Sequence, residues 1–226
     1  MFSSSMRRRP RPHRKLEYWG IVFTLTLSLA ATAAWTRTLR SCLEGRLRIP
    51  ILVPLLLVTT GLALLALPHI DPPPSSLTEA GLGVVAGTVA VQMTIDLSVR
   101  RLPLVPSLTA TAVFFLSLLA GDTDRIAGAL GGLITMTLVA AVLRWLGRGQ
   151  LGRGDVYFSL LRGAVIGWLD PWAVATAWVL TATSAAVFAG VGLRSGRLAR
   201  DSAVPFGPFM VLGSVAAMAL TLASNS

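Results

Sequence analysis

Apolar residues in this chain come in long blocks, not at alternate positions and not along one helical stripe. The blocks cover residues 18–35, 49–70, 80–99, 104–120, 126–146, 156–169, 171–193 and 205–224, with short polar or Gly/Pro-rich joints between them. A helix that crosses a bilayer needs about 20 mostly apolar residues, within a range of about 17–25. Strands of a membrane barrel would alternate with period two, whereas these blocks are apolar on every side. The pattern predicts an all-α fold, a polytopic transmembrane helical bundle of about eight helices, or seven if the first block does not span. The sixth block is short, as expected of a helix that starts at or below the membrane surface beside a functional loop.

Composition sharpens this picture. Hydrophobic residues make up 54% of the 226 and charged residues 13%, and the mean hydropathy is +0.70. A soluble domain carries about a quarter charged residues, and disordered chains are poor in apolar ones, so both classes are disfavoured. The net charge of +10 would suggest nucleic acid in a soluble protein. In so apolar a chain it suggests basic loops at a membrane and no nucleic-acid partner. Cys42 is the only cysteine, so neither an intrachain disulfide nor a multi-cysteine metal site is expected.

The joints divide by charge. Arg37, Arg40, Arg46 and Arg48 precede the second block, and Arg100 and Arg101 follow the third. Arg144, Arg148 and Arg153 follow the fifth, and Arg194, Arg197 and Arg200 follow the seventh. The alternate joints hold Asp71, Glu79, Asp122, Asp124 and Asp170, with Arg125 as their one arginine. The positive-inside rule puts the arginine-rich joints in the cytoplasm and the acidic ones outside. Residues 1–17 read as a basic disordered tail ahead of one integral-membrane domain, 18–226. That tail breaks the rule, because a first block that spans once leaves it outside. A signal peptide cut near Ala31-Thr32-Ala33, a downstream start, or an interfacial first segment would each resolve the conflict.

Ionisable residues at a bilayer are costly and usually functional. Most acids here lie in external joints, where water solvates them. Asp96, in the last turn of the third block, and Asp155, opening the sixth within Gly152-Arg153-Gly154-Asp155, fall at one depth on the cytoplasmic edge. Two such carboxylates can converge into a dyad that shares a proton and titrates as a unit. The ionised member then acts as base on a water. The protonated member polarises the carbonyl and protonates the leaving amine. The glycines around Asp155 permit a tight turn and close approach of a substrate backbone, and the helix start favours its ionised form. The bland readings are an Asp96 paired with Arg100 or Arg101, and an Asp155 that merely caps its helix.

Three stretches resemble one family, the type IV prepilin peptidases, which are membrane aspartic proteases. Ile95-Asp96-Leu97-Ser98-Val99-Arg100-Arg101-Leu102-Pro103 resembles that family's first-aspartate segment. Gly152-Arg153-Gly154-Asp155-Val156 resembles its Gly-x-Gly-Asp-Val segment, and Val204-Pro205-Phe206-Gly207-Pro208-Phe209 its Pro-Phe-Gly-Pro segment. The resemblance covers the chain from about residue 49 to the end. It implies that Asp96 and Asp155 are the catalytic pair. It further implies a pilin-like precursor as partner, cleaved before its hydrophobic helix on the cytoplasmic side of a bacterial inner membrane, without metal or cofactor. Tyr157 stands where the family often has Lys, and Leu104 where an Asn is expected. The family's longer members carry paired Cys-x-x-Cys motifs linked to N-methylation. With Cys42 alone, methyltransferase activity is not expected, and the compact form resembles the short peptidases of tight-adherence pilus systems.

Other residues carry weaker signals. Gln92 lies one turn before Asp96 on the same face and suits either carboxylate positioning or a helix–helix hydrogen bond. Arg162 lies two turns beyond Asp155 and suits either a role at the dyad or snorkelling. Gly81, Gly83, Gly87, Gly128, Gly131 and Gly132 read as close-packing surfaces. Pro205 and Pro208 flank Gly207, which suggests a broken helix entry beside a groove. His69 reads as structural. Trp19, Trp35, Trp145, Trp168 and Trp172 fall near block ends, as interfacial aromatics do. Two other functions fit the same blocks: a small ion-coupled transporter using the two aspartates, and a non-catalytic pilus-assembly partner. The transporter fits less well, because mid-helix acids are lacking and ion sites usually lie near the midplane. Pilin leaders are typically basic, so the arginines suit anchoring to anionic lipid better than steering of substrate.

Overall fold

The computed structural model describes residues 14–40, 56, 58–60, 70, 72–148, 151–199 and 204–224. Among these the fold is all-α, with no strand. The helices are α1 (Arg14–Arg40), α2 (Ser76–Val99), α3 (Leu104–Gly121), α4 (Ile126–Leu146), α5 (Arg153–Leu169), α6 (Ala173–Arg194) and α7 (Gly207–Ser224). A 3-10 turn, Thr123–Arg125, leads into α4. Five helical stretches are long and apolar enough to cross a membrane: Ser76–Val99, Leu104–Gly121, Thr123–Leu146, Ala173–Arg194 and Gly207–Ser224. Of the second apolar block only Leu56, Val58, Thr59, Thr60 and Ile70 are described, the first four of them helical. Cys42 and His69 lie outside the described residues.

Helix ends form where local chemistry satisfies the free backbone groups. Ser75 caps α2 by accepting the Thr78 N–H at 3.3 Å, and its own N–H donates to the Asp122 carboxylate at 3.0 Å. That pair ties the start of α2 to the end of α3. At its other end α2 stops at Arg100, whose left-handed backbone (φ 55°, ψ 42°) lets its N–H close onto the Asp96 carbonyl at 2.8 Å. Pro103, in extended conformation (φ −71°), then starts α3. Between α5 and α6, Asp170 accepts the Trp172 N–H at 3.0 Å.

The first block is a full member of the bundle. Helix α1 begins at Arg14, so residues 14–17, grouped by the sequence with the basic tail, belong to the helix. It runs unbroken through Ala31-Thr32-Ala33. Thr24 donates to the Glu79 carbonyl at 3.1 Å and Thr32 to the Gly87 carbonyl at 3.4 Å. Sequence numbers rise together along both helices, so α1 lies parallel to α2. Gly83 and Gly87 make the contact possible, since a Cβ there would come within 2.4 Å of the Thr24 carbonyl oxygen and 2.3 Å of that of Ser28.

From α2 to α7 the helices alternate in direction. Gln92 meets Ser107, Gly132 meets Gly163, and Gly213 meets Thr181. Arg100, Arg101, Arg144, Arg153 and Arg194 therefore gather at one end of the bundle, and Asp122, Asp124 and Asp170 at the other. Two helices are enclosed. Helix α2 is buried almost continuously from Gly81 to Asp96, and α5 from Leu161 to Trp168. The glycine surfaces behave as expected with one correction. Gly128 and Gly132 abut Gly167 and Gly163 on α5, but Gly131 faces open space, one position round the helix from the seam.

Candidate active site

Asp96 ends the enclosed part of α2, and Asp155 stands in the first turn of α5. Both are buried, at 5% and 9% exposed. They line one cavity of about 260 Å³ at the arginine-rich end, together with Arg100, Arg101, Leu102, Gly152, Arg153 and Gly154. The two carboxylates are close enough to repel each other, and Arg100 and Arg162 supply attraction to Asp96 and Asp155 respectively.

Each carboxylate is held by the backbone of a glycine. The Gly152 N–H donates to Asp155 Oδ2 at 3.0 Å, within the first turn of α5. The Gly207 N–H, at the start of α7, donates to Asp96 Oδ2 at 3.0 Å across 111 residues of sequence. Both acids thus sit at helix N-termini, where free N–H groups and the helix dipole favour negative charge. Asp96 uses the terminus of a different helix from its own. Oδ1 of each has no hydrogen-bond partner among the described residues, so each acid keeps one oxygen for a guest in the cavity.

The glycines are required by space. A Cβ on Gly152 would lie 2.7 Å from Asp155 Oδ2, and one on Gly207 would lie 2.7 Å from Asp96 Oδ2. A Cβ on Gly154 would meet the Leu102 carbonyl oxygen at 2.5 Å. Gly154 therefore lets the joint between α2 and α3 close onto the start of α5, which brings the two aspartates to one cavity. Arg100 adopts a left-handed conformation that side chains disfavour. The strain falls beside the two acids.

The other singled-out residues separate into groups. Arg100, Arg101, Gly152 and Gly154 line the cavity. Pro103 and Pro205 flank the site through the backbone, as the cap of α3 and part of the non-helical entry to α7. Pro208 follows Gly207 in the first turn of α7. Phe206 packs against both main apolar clusters and fixes the entry to α7. Gln92 is fully buried and exchanges hydrogen bonds with Ser107 of α3 at 3.0 and 3.2 Å, so it joins two helices. Arg162 turns to Ser214 and Thr181, at 2.7 and 3.1 Å, and makes no hydrogen bond to Asp155. No group of three His, Cys, Asp or Glu side chains suited to a metal ion occurs among the described residues.

Sequence reasoning named Gly207 as a motif residue but not its bond to Asp96, and it did not single out Leu102. The signal for the anchor was a glycine between two prolines at a helix start, which shows a special backbone but not its distant partner.

The chain is, by fold and site, a helical membrane bundle with two carboxylates converging at one end. A scan against protein-family models and searches of curated proteins and of solved structures gave no match.

Proposed function

We propose that this protein is a membrane-embedded aspartic endopeptidase that removes the leader of type IV prepilin-like precursors at the cytoplasmic surface of a bacterial membrane. The observation that carries the reading is the shared cavity. Asp96 and Asp155 come from helices distant in sequence, each is fixed by a glycine N–H, and each retains an unbonded oxygen. A pair that close holds one proton between them. The ionised carboxylate takes a proton from water as the water oxygen bonds to the scissile carbonyl carbon. The protonated one hydrogen-bonds the carbonyl oxygen and then gives its proton to the departing nitrogen as the C–N bond breaks. The site's place at the end of the bundle suits a bond just outside a substrate's apolar helix. The resemblance of the three motif segments supplies the precursor class.

The test is cleavage of co-expressed candidate precursors by wild type, Asp96→Asn and Asp155→Asn. Each variant is expected to insert normally and to lose about 10²-fold or more in cleavage rate, the scale of acid–base catalysis. Cleavage retained by either inserted variant would reject the dyad.

A further inference from the structure

A second cavity lies away from the acids, between α2, α5 and α7, with Thr59 and Ile70 of the second block also on its wall. Its volume is about 290 Å³, at the small end of ligand pockets, which span about 300–1,000 Å³. Leu82 and Val85 of α2, Phe158 and Trp168 of α5, and Val211 and Met218 of α7 line it. It therefore follows ten residues of α5, about 15 Å at 1.5 Å per residue. A volume of about 290 Å³ spread over that length suits one extended chain. A helix with its side chains is about 10–12 Å across and does not fit.

Among the described residues one charged side chain lines this slot. Arg162 is 4% exposed, with its guanidinium 5.6 Å from the Trp178 ring centre. Nε and Nη2 are taken by the hydroxyls of Ser214 and Thr181, but Nη1 has no partner among the described residues. The hydroxyls carry no charge, and Asp155, the carboxylate that attracts Arg162, makes no hydrogen bond to it, so the buried guanidinium is only partly compensated. An incompletely paired buried charge is costly. Trp168 Nε1, on the same slot, also lacks an acceptor. The site has donors and positive charge in excess, inside apolar walls. Its guest must bring an anionic oxygen on an apolar body.

We infer that this slot binds a single-chain lipid carboxylate, its acid group on Arg162 Nη1 and its alkyl chain along α5. The bilayer around the protein is the source of such molecules, and the inference does not depend on the activity of Asp96 and Asp155.

Trp168 provides the readout. The full-length protein in lipid nanodiscs is titrated with a brominated fatty acid, whose bromine quenches nearby tryptophan fluorescence, and with its methyl ester. The acid is expected to quench saturably and to bind at least about tenfold more tightly than the ester, the acid's charge being the difference. Trp168→Phe should reduce the quenched component, leaving that of Trp178 beside Arg162. Arg162→Met should bring the acid down to the level of the ester. Val85→Phe, which keeps the arginine but fills the slot, should weaken both. Equal binding of acid and ester, or undiminished acid binding in Arg162→Met, would overturn the inference. So would displacement by an apolar peptide carrying a glutamate more tightly than by any fatty acid.

Discussion

Helices α4 and α5 are packed neighbours, yet they occupy different environments. On α4 the buried residues are Ala129, Gly132, Met136 and Ala140, a narrow stripe along one face. Its outer face presents Leu130, Ile134, Leu138 and Val142 at intervals of four, all exposed. Helix α5 is enclosed over most of its length and carries Asp155, Ser159 and Arg162 in its interior. In water an apolar face marks the inside. In a bilayer lipid is as apolar as a core, so apolar residues cannot tell the inside from the outside. What distinguishes α5 is its polar side chains, which need partners that lipid does not offer.

The largest expected effect on this contrast is chemical. Asp155→Asn and Asp96→Asn are expected to lower precursor cleavage by about 10²–10⁴-fold, while Ile134→Ala on the outer face of α4 leaves the rate unchanged. Gly207→Ala comes next. Its Cβ would push on Asp96 Oδ2, and a misplacement of about 1 Å costs about 10²-fold. Cleavage kinetics and denaturant titration of the same sample would separate this loss from unfolding.

The glycine seam offers a test with opposite signs at adjacent residues. Gly132→Val would force a Cβ to within 2.3 Å of the Gly163 carbonyl oxygen and is expected to destabilise by about 1–3 kcal/mol or more. Gly131→Ala meets nothing within 4 Å and is expected to stabilise α4 by up to about 1 kcal/mol through helix propensity. Thermal or denaturant unfolding in detergent measures both.

Smaller effects follow on α2. Gln92→Leu leaves the buried Ser107 hydroxyl without its partner and is expected to cost about 1–3 kcal/mol. Adding Ser107→Ala should recover part of that loss, which a double-mutant cycle reads directly. Ile134→Ala, facing outward, is expected to change stability by no more than about 0.5 kcal/mol.

Much of the fold was legible from the blocks. The third, fourth and fifth blocks match helices α2, α3 and α4 closely, because hydropathy over about 20 residues is a strong signal. The charge division of the joints anticipated the separation of arginines and acids to opposite ends. Asp96 and Asp155 stood out as acids at block ends, and the structure places both on one cavity. Two things were less legible. Gln92 and Arg162 were legible as polar residues in apolar helices, but whether they faced the acids or other helices depended on helix rotation. Gly131 and Gly132 looked equivalent in sequence, and only the contact with α5 separates them.

The sequence by itself determined five apolar spans among the described residues, their alternation and the two acids at block ends, since each of these depends on local runs of residues. Tertiary structure decided which helices are enclosed, which glycines form seams, and that α7 begins where its first N–H can hold Asp96. Those outcomes depend on the rotation and register of helices against one another. In a chain apolar on every side, hydropathy leaves rotation and register open. They are fixed by glycine contacts as close as a Cβ would forbid, and by a few buried polar groups that must find each other.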